Sequence, residues 1–155
     1  MTVLVMDDHP SSDIDQEELR DWAEAALGAE GYPPDTEVSI TLVTDDEMAS
    51  RNERAFGRAE VTDVLAFPLE DLHPGVAAKP SPTGPPLLLG DVVIAPDYVR
   101  RQAHDLGVSV QDEMALMVTH AVLHLLGYDH ATDPEAEVME ARECAILAGQ
   151  GRTRR

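Results

Sequence analysis

The chain opens on an apolar run, Val3 to Met6, that reads as a short strand. The spacing then changes. Asp15 with Glu18 makes a capping-box-like start, and Leu19, Trp22, Ala23, Ala26 and Leu27 recur at helical intervals. They predict an amphipathic helix to about Glu30, with Trp22 in the core, stopped by Gly31-Tyr-Pro-Pro34. Val38, Ile40 and Leu42 alternate with Ser39 and Thr41, the pattern of a half-buried strand. Thr44 with Glu47 opens a second helix that runs through about Phe56. Val64 to Phe67 is a third strand, closed by Pro68. Over residues 70–86, Pro74, Gly75, Pro80, Pro82, Gly84, Pro85 and Pro86 predict a loop, with His73 at the surface.

Leu87 to Ile94 is a near-continuous apolar run, as expected of a central strand buried on both faces. Pro96 fits the first turn of a third helix. Val99, Ala103 and Leu106 make its inner face, His104 lies off that face, and Gly107 ends it. Ser109 and Asp112 cap a helix that reaches Leu126 and is apolar on most sides, so it belongs in the core. Asp133-Pro134 starts the last helix, with Val138, Met139, Ala141, Ala145 and Ile146 facing inward. Residues 1–148 then form one compact domain, and 149–155 a loose tail. Four strands and about five helices fit an α/β (α+β-like) fold. The last three helices run consecutively, which argues against a purely parallel sheet.

Composition adds constraints. At 155 residues and 43% hydrophobic, the chain can bury a real core. No apolar run approaches the roughly 20 residues of a membrane span. The start, Met1-Thr-Val-Leu-Val-Met-Asp-Asp, lacks the basic region of a signal peptide. Cys144 is the single cysteine, so no internal disulfide forms, which fits a reducing cytoplasm. The net charge is −19, the reverse of the basic surface that phosphate binding favours. The positive charge that exists is clustered: Arg51, Arg54 and Arg58; Arg100 and Arg101; Arg152, Arg154 and Arg155.

The candidate chemistry lies at the end of the core helix. His120-Ala-Val-Leu-His124-Leu-Leu-Gly127-Tyr128-Asp129-His130 holds three of the six histidines. His120 and His124 share one helix face, where both rings can reach one ion at about 2.0–2.1 Å. Gly127 follows where the helix would end, because glycine takes the left-handed conformation without a Cβ penalty, and the turn returns His130 toward the same ion. A buried helix with incidental histidines would account for one or two of them. Three, with the glycine, point to one zinc per chain with an open fourth position, the arrangement of a catalytic site. Asp129 is either a carboxylate supporting the ligands or a turn-forming aspartate.

The frame matches the metzincin motif H-E-x-x-H-x-x-G-x-x-H, except that Ala121 stands where those proteases carry their glutamate base. Peptide hydrolysis by that route is thereby disfavoured. The segment resembles far more closely the H-G-x-L-H-L-x-G-Y-D-H signature of the YbeY family of bacterial endoribonucleases, departing only at Ala121. Thr62-Asp-Val-Leu-Ala-Phe-Pro68 is similar to that family's T-D-V-L-S-F-P, and Gly90-Asp-Val-Val-Ile-Ala-Pro-Asp97 to its G-D-I-V-I-S-P-D. The resemblance covers roughly residues 38–147. It implies a small mixed four-stranded sheet with the metal helix packed on it. It also implies a zinc-dependent, single-strand-specific endoribonuclease acting in ribosomal RNA maturation and ribosome quality control. RNA and the ribosome or its assembly proteins would be the partners. A functional arginine precedes T-D-V-L in the family, and here it maps to Arg54 or Arg58. Two other readings stand beside this one: a metallohydrolase of another class, peptidase-like, and a non-catalytic assembly factor with structural zinc.

Overall fold

The computed structural model describes residues 1–77 and 83–155. Pro80 and Pro82, part of the predicted 70–86 loop, lie outside the described residues. Among the described residues, four strands, β1 (Thr2–Asp7), β2 (Glu37–Leu42), β3 (Val64–Pro68) and β4 (Leu88–Ile94), form one sheet in the order β1-β2-β4-β3. β1, β2 and β4 run parallel and β3 antiparallel to β4, so the sheet is mixed, as expected. Five helices among the described residues complete the α/β domain: α1 (Gln16–Ala29), α2 (Asp45–Phe56), α3 (Pro96–Leu106), α4 (Val110–Leu125) and α5 (Asp133–Ala148).

Strand alternation divides the core in two. Val38, Ile40, Leu42, Val92 and Ile94 point to one face, where they pack with Leu19, Trp22 and Leu27 of α1 and with most of α4. Val93, Leu65 and Phe67 point to the other, against Val43, Met48 of α2 and Tyr98 of α3. α4 carries the larger share of the core: Met114, Leu116, Val118, Ala121, Val122, Leu123 and Leu125 are all buried. A helix apolar on nearly every side is one enclosed by other elements, which is what its sequence demands. Among the described residues, no helix is long and apolar enough to cross a membrane.

The predicted caps form. The hydroxyls of Thr44 and Ser109 accept the N–H groups of Glu47 and Asp112 at 3.3 and 3.0 Å. Asp15 accepts from Glu17, at 2.9 Å, rather than from Glu18. Three expectations change. β2 is not half-buried: it lies inside the sheet, and Ser39 and Thr41 are covered too, with the Ser39 hydroxyl donating to the Asp91 carboxylate. Leu106, Val138, Ala141 and Ala145 face solvent; the buried positions are Pro96, Val99 and Ala103 of α3, and Met139, Glu143, Ile146 and Leu147 of α5. The tail is not loose. Arg152 donates to the Asp112 carboxylate at 2.6 Å and lies over the Trp22 ring. Arg154 and Arg155 donate to the buried Glu143 and Glu113. Charge pairing, which hydropathy does not register, ties residues 149–155 back across the domain.

Candidate metal centre

α4 presents His120 and His124 one turn apart, and their rings meet edge to face at 4.5 Å between centroids. The helix stops after Leu125. Gly127 then takes φ +98, a region open to glycine, and a Cβ there would lie 2.1 Å from the Leu72 carbonyl oxygen. The glycine is required twice, for its backbone angle and for the close passage of the 70–77 segment. The turn brings His130 to 5.0 and 5.5 Å from the other two rings. One nitrogen from each histidine falls within 4.8 Å of the others.

The outward-facing nitrogens decide how the rings present themselves. His124 Nδ1–H donates to the Tyr128 carbonyl at 2.9 Å, and His120 Nδ1–H donates to the Glu143 carboxylate at 2.6 Å. A carbonyl can only accept, so the proton of His124 sits on Nδ1 and Nε2 is left with a free lone pair. The two Nε2 atoms stand 3.0 Å apart. Tetrahedral zinc with bonds of about 2.0–2.1 Å needs ligand nitrogens roughly 3.3–3.4 Å apart. Two facing lone pairs of neutral imidazoles are a donor set that suits zinc, with the rings parting by a few tenths of an ångström to take the ion. Burial, and then the nearby His120, hold the His124 pKa below its ordinary value, which keeps the ring neutral as a ligand must be.

Glu143 is 1% exposed and is the residue the sequence reading missed. Its other oxygen accepts Arg154 Nε at 2.7 Å. Burial works against the charged form, and the hydrogen bonds from His120 and Arg154 outweigh it, leaving the Glu143 pKa lowered. A carboxylate behind a ligand imidazole fixes its tautomer and raises its basicity. The available signal was an acidic residue on the inward stripe of α5, between Met139 and Leu147.

The histidines open into a cavity of ≈ 670 Å³, also bordered by Asp63, Leu65, Asp129, Arg154 and Arg155. Asp129 is exposed there, and its Oδ1 accepts the His130 N–H at 2.8 Å. Neither Arg54 nor Arg58 reaches the cavity wall. α2 ends at Gly57, and Arg54, 67% exposed, pairs with Glu47 at 3.2 Å. Arg58 lines an adjoining depression that shares Phe56 and Leu65 with the cavity. Among the described residues, the arginines in the wall come instead from the C-terminal strap, residues 149–155: Arg154 and Arg155.

The family model described as Endoribonuclease YbeY matches residues 5–151. A protein of that description from Thermobifida fusca is 42% identical over 90% of this chain and 88% of its own length. One from Moorella thermoacetica is 45% identical over 83% of this chain and 81% of its own. The solution structure of TM1509 from Thermotoga maritima superposes with a TM-score of 0.60 at 23% identity, covering 97% of this chain and 92% of that one, and shares the fold. With its three sequence blocks gathered at the sheet and the end of α4, the chain belongs to the endoribonuclease YbeY family.

Proposed function

We propose that the chain is a zinc-dependent, single-strand-specific endoribonuclease of ribosomal RNA maturation and ribosome quality control, cutting at the cavity of His120, His124 and His130. The observation that carries this reading is the convergence of three imidazoles, two of which, His120 and His124, have the inward nitrogen freed by a hydrogen bond on the opposite side of the ring. RNA as substrate rests on family membership: the relatives from Thermobifida fusca and Moorella thermoacetica bear the name Endoribonuclease YbeY. Zinc, when bound, supplies a Lewis acid that polarises a phosphoryl oxygen and acidifies water.

The protein's own groups do the remaining work. Glu143 and the Tyr128 carbonyl keep protons on the Nδ1 atoms and hold the rings in register. Asp129, exposed in the cavity wall, takes the proton released by the attacking oxygen. Of the two arginines assigned to phosphate, Arg58 is the better placed, because its depression adjoins the cavity and Arg54 is committed to Glu47. A ribosomal or assembly-protein partner in the cytoplasm recruits this acidic chain to RNA that it would otherwise repel at long range. Ala121, fully buried, occupies the place of the metzincin glutamate, which weighs against a peptidase.

The test is incubation of zinc-loaded protein with single-stranded RNA, duplex RNA and a peptide, each with and without chelator. Cleavage of the single strand alone is expected, lost with chelator and in His124→Ala. Arg58→Gln should slow it more than Arg54→Gln. Peptide cleavage with RNA left intact, or RNA cleavage indifferent to both chelator and His124→Ala, would overturn the reading.

A further inference from the structure

A phosphodiester substrate must come close to a chain of net charge −19, so the positive charge it meets has to be local and fixed. Arg154 and Arg155 both line the metal cavity, but they are engaged differently. Arg154 gives Nε to Glu143 and a terminal nitrogen to the Arg155 carbonyl, so it supports the ligand shell. Arg155 gives only Nε, to both oxygens of Glu113 at 2.7 and 3.0 Å. Its two terminal nitrogens make no hydrogen bond to the described residues.

Glu113 is 1% exposed and is also held by Gln102 Nε2 at 2.7 Å, so the Arg155 side chain is anchored at its root to a rigid acceptor inside α4. What remains is the planar two-nitrogen edge of a guanidinium, which matches two oxygens of a phosphate. Arg155 also borders a second depression, lined by Tyr98, Arg101 and Gln102, where the Arg101 guanidinium lies 5.6 Å over the Tyr98 ring. It therefore stands between the metal cavity and a surface bearing an aromatic ring and a second guanidinium, that of Arg101, which is paired with Asp45 at 2.8 Å; rings and cations are the features that hold single-stranded nucleic acid.

Resting on the endoribonuclease reading above, we propose that Arg155 forms a phosphate subsite for the RNA strand next to the metal centre. The backbone passes from the histidines across the Arg155 edge toward Tyr98 and Arg101. The strap that looks like a disposable basic tail is a part of the substrate site, held in place by Glu113 and Glu143.

The experiment is fluorescence anisotropy of zinc-loaded full chain with a short 2′-O-methyl single-stranded oligonucleotide, from 50 to 200 mM salt. Arg155→Gln should weaken binding roughly threefold or more at 50 mM and make the slope of log K against log salt shallower by about 0.7, the value for one lost phosphate contact on a single strand. Arg155→Lys should restore the slope, and Arg20→Gln, away from the cavity, should change neither quantity. A merely structural arginine would alter stability without altering the slope. If Arg155→Gln proves unstable because Glu113 loses its partner, Glu113→Gln/Arg155→Gln removes the pair as a unit, and the same slope change is expected. Parent-like affinity and slope in a folded Arg155 variant would overturn the subsite and leave the endoribonuclease reading standing. A metal-loaded parent that neither binds nor cuts RNA would overturn both.

Discussion

The turn that closes α4 and the strap of residues 149–155 stand behind neighbouring imidazoles, the turn's Tyr128 carbonyl behind His124 and the strap's partner Glu143 behind His120, and they are built by opposite means. The turn is local. His120 and His124 share a face because they are one helical turn apart, and Gly127 allows the reversal that returns His130. The strap is long-range. Arg152 reaches Asp112 and Arg155 reaches Glu113, 40 and 42 residues away, and Arg154 reaches Glu143 of the preceding helix, whose other partner is His120 of α4. The first mode places atoms through backbone angles, and the second through paired charges in buried surroundings, where leaving one partner alone is costly. The candidate site draws on both: the turn brings in the third imidazole, and the α5 carboxylate that the strap pairs with sets the proton on another.

The two modes can be broken separately. The largest effect is expected from Gly127→Ala. Left-handed strain of about 1–2 kcal/mol adds to a methyl driven against the Leu72 carbonyl, for a loss of roughly 3 kcal/mol in denaturant unfolding. Metal content should fall with it. A variant as stable as the parent would show that the 70–77 segment moves aside at no cost and that the turn is not held from outside.

Glu143→Gln comes next and addresses the long-range mode. It keeps shape but withdraws the charged acceptor from His120 and the counter-charge from Arg154. Zinc affinity measured by competition with a chromophoric chelator should drop about 10–100-fold, the usual consequence of removing a carboxylate behind a ligand. Parent-like affinity would assign the orientation of His120 to helix packing alone.

The smallest change is at Ala121, on the buried side of the same helix. Ala121→Gly should cost about 1 kcal/mol through helix propensity and leave zinc binding intact. A gain in stability on thermal melting would instead mean that the methyl is crowded where it sits.

The contrast also explains what the sequence could reveal. Periodicity exposed the elements because each buries one stripe or face: Leu19, Trp22, Ala23, Ala26 and Leu27 are all in the core, as their spacing requires. The histidine site was legible for the same reason, since its geometry lies within one helix end and one turn. β2 was misread because Ser39 and Thr41 look solvent-facing until Asp91 of the neighbouring strand is known to accept from Ser39. On α5 the inward stripe holds Glu143, whose partners come from α4 and the strap, so no local pattern reports its role. The strap itself has no periodic signal. Its three arginines in an acidic chain were the clue, and their partners Asp112, Glu113 and Glu143 could be known only from the fold.

X-ray absorption at the zinc edge of the purified protein tests the three-histidine centre most directly. The expected spectrum has three imidazole nitrogens at about 2.0–2.1 Å plus one oxygen donor, with the imidazole count falling to two in His130→Ala. A sulfur shell from Cys144, a shell of oxygens alone, or a first shell unchanged in His130→Ala would contradict it.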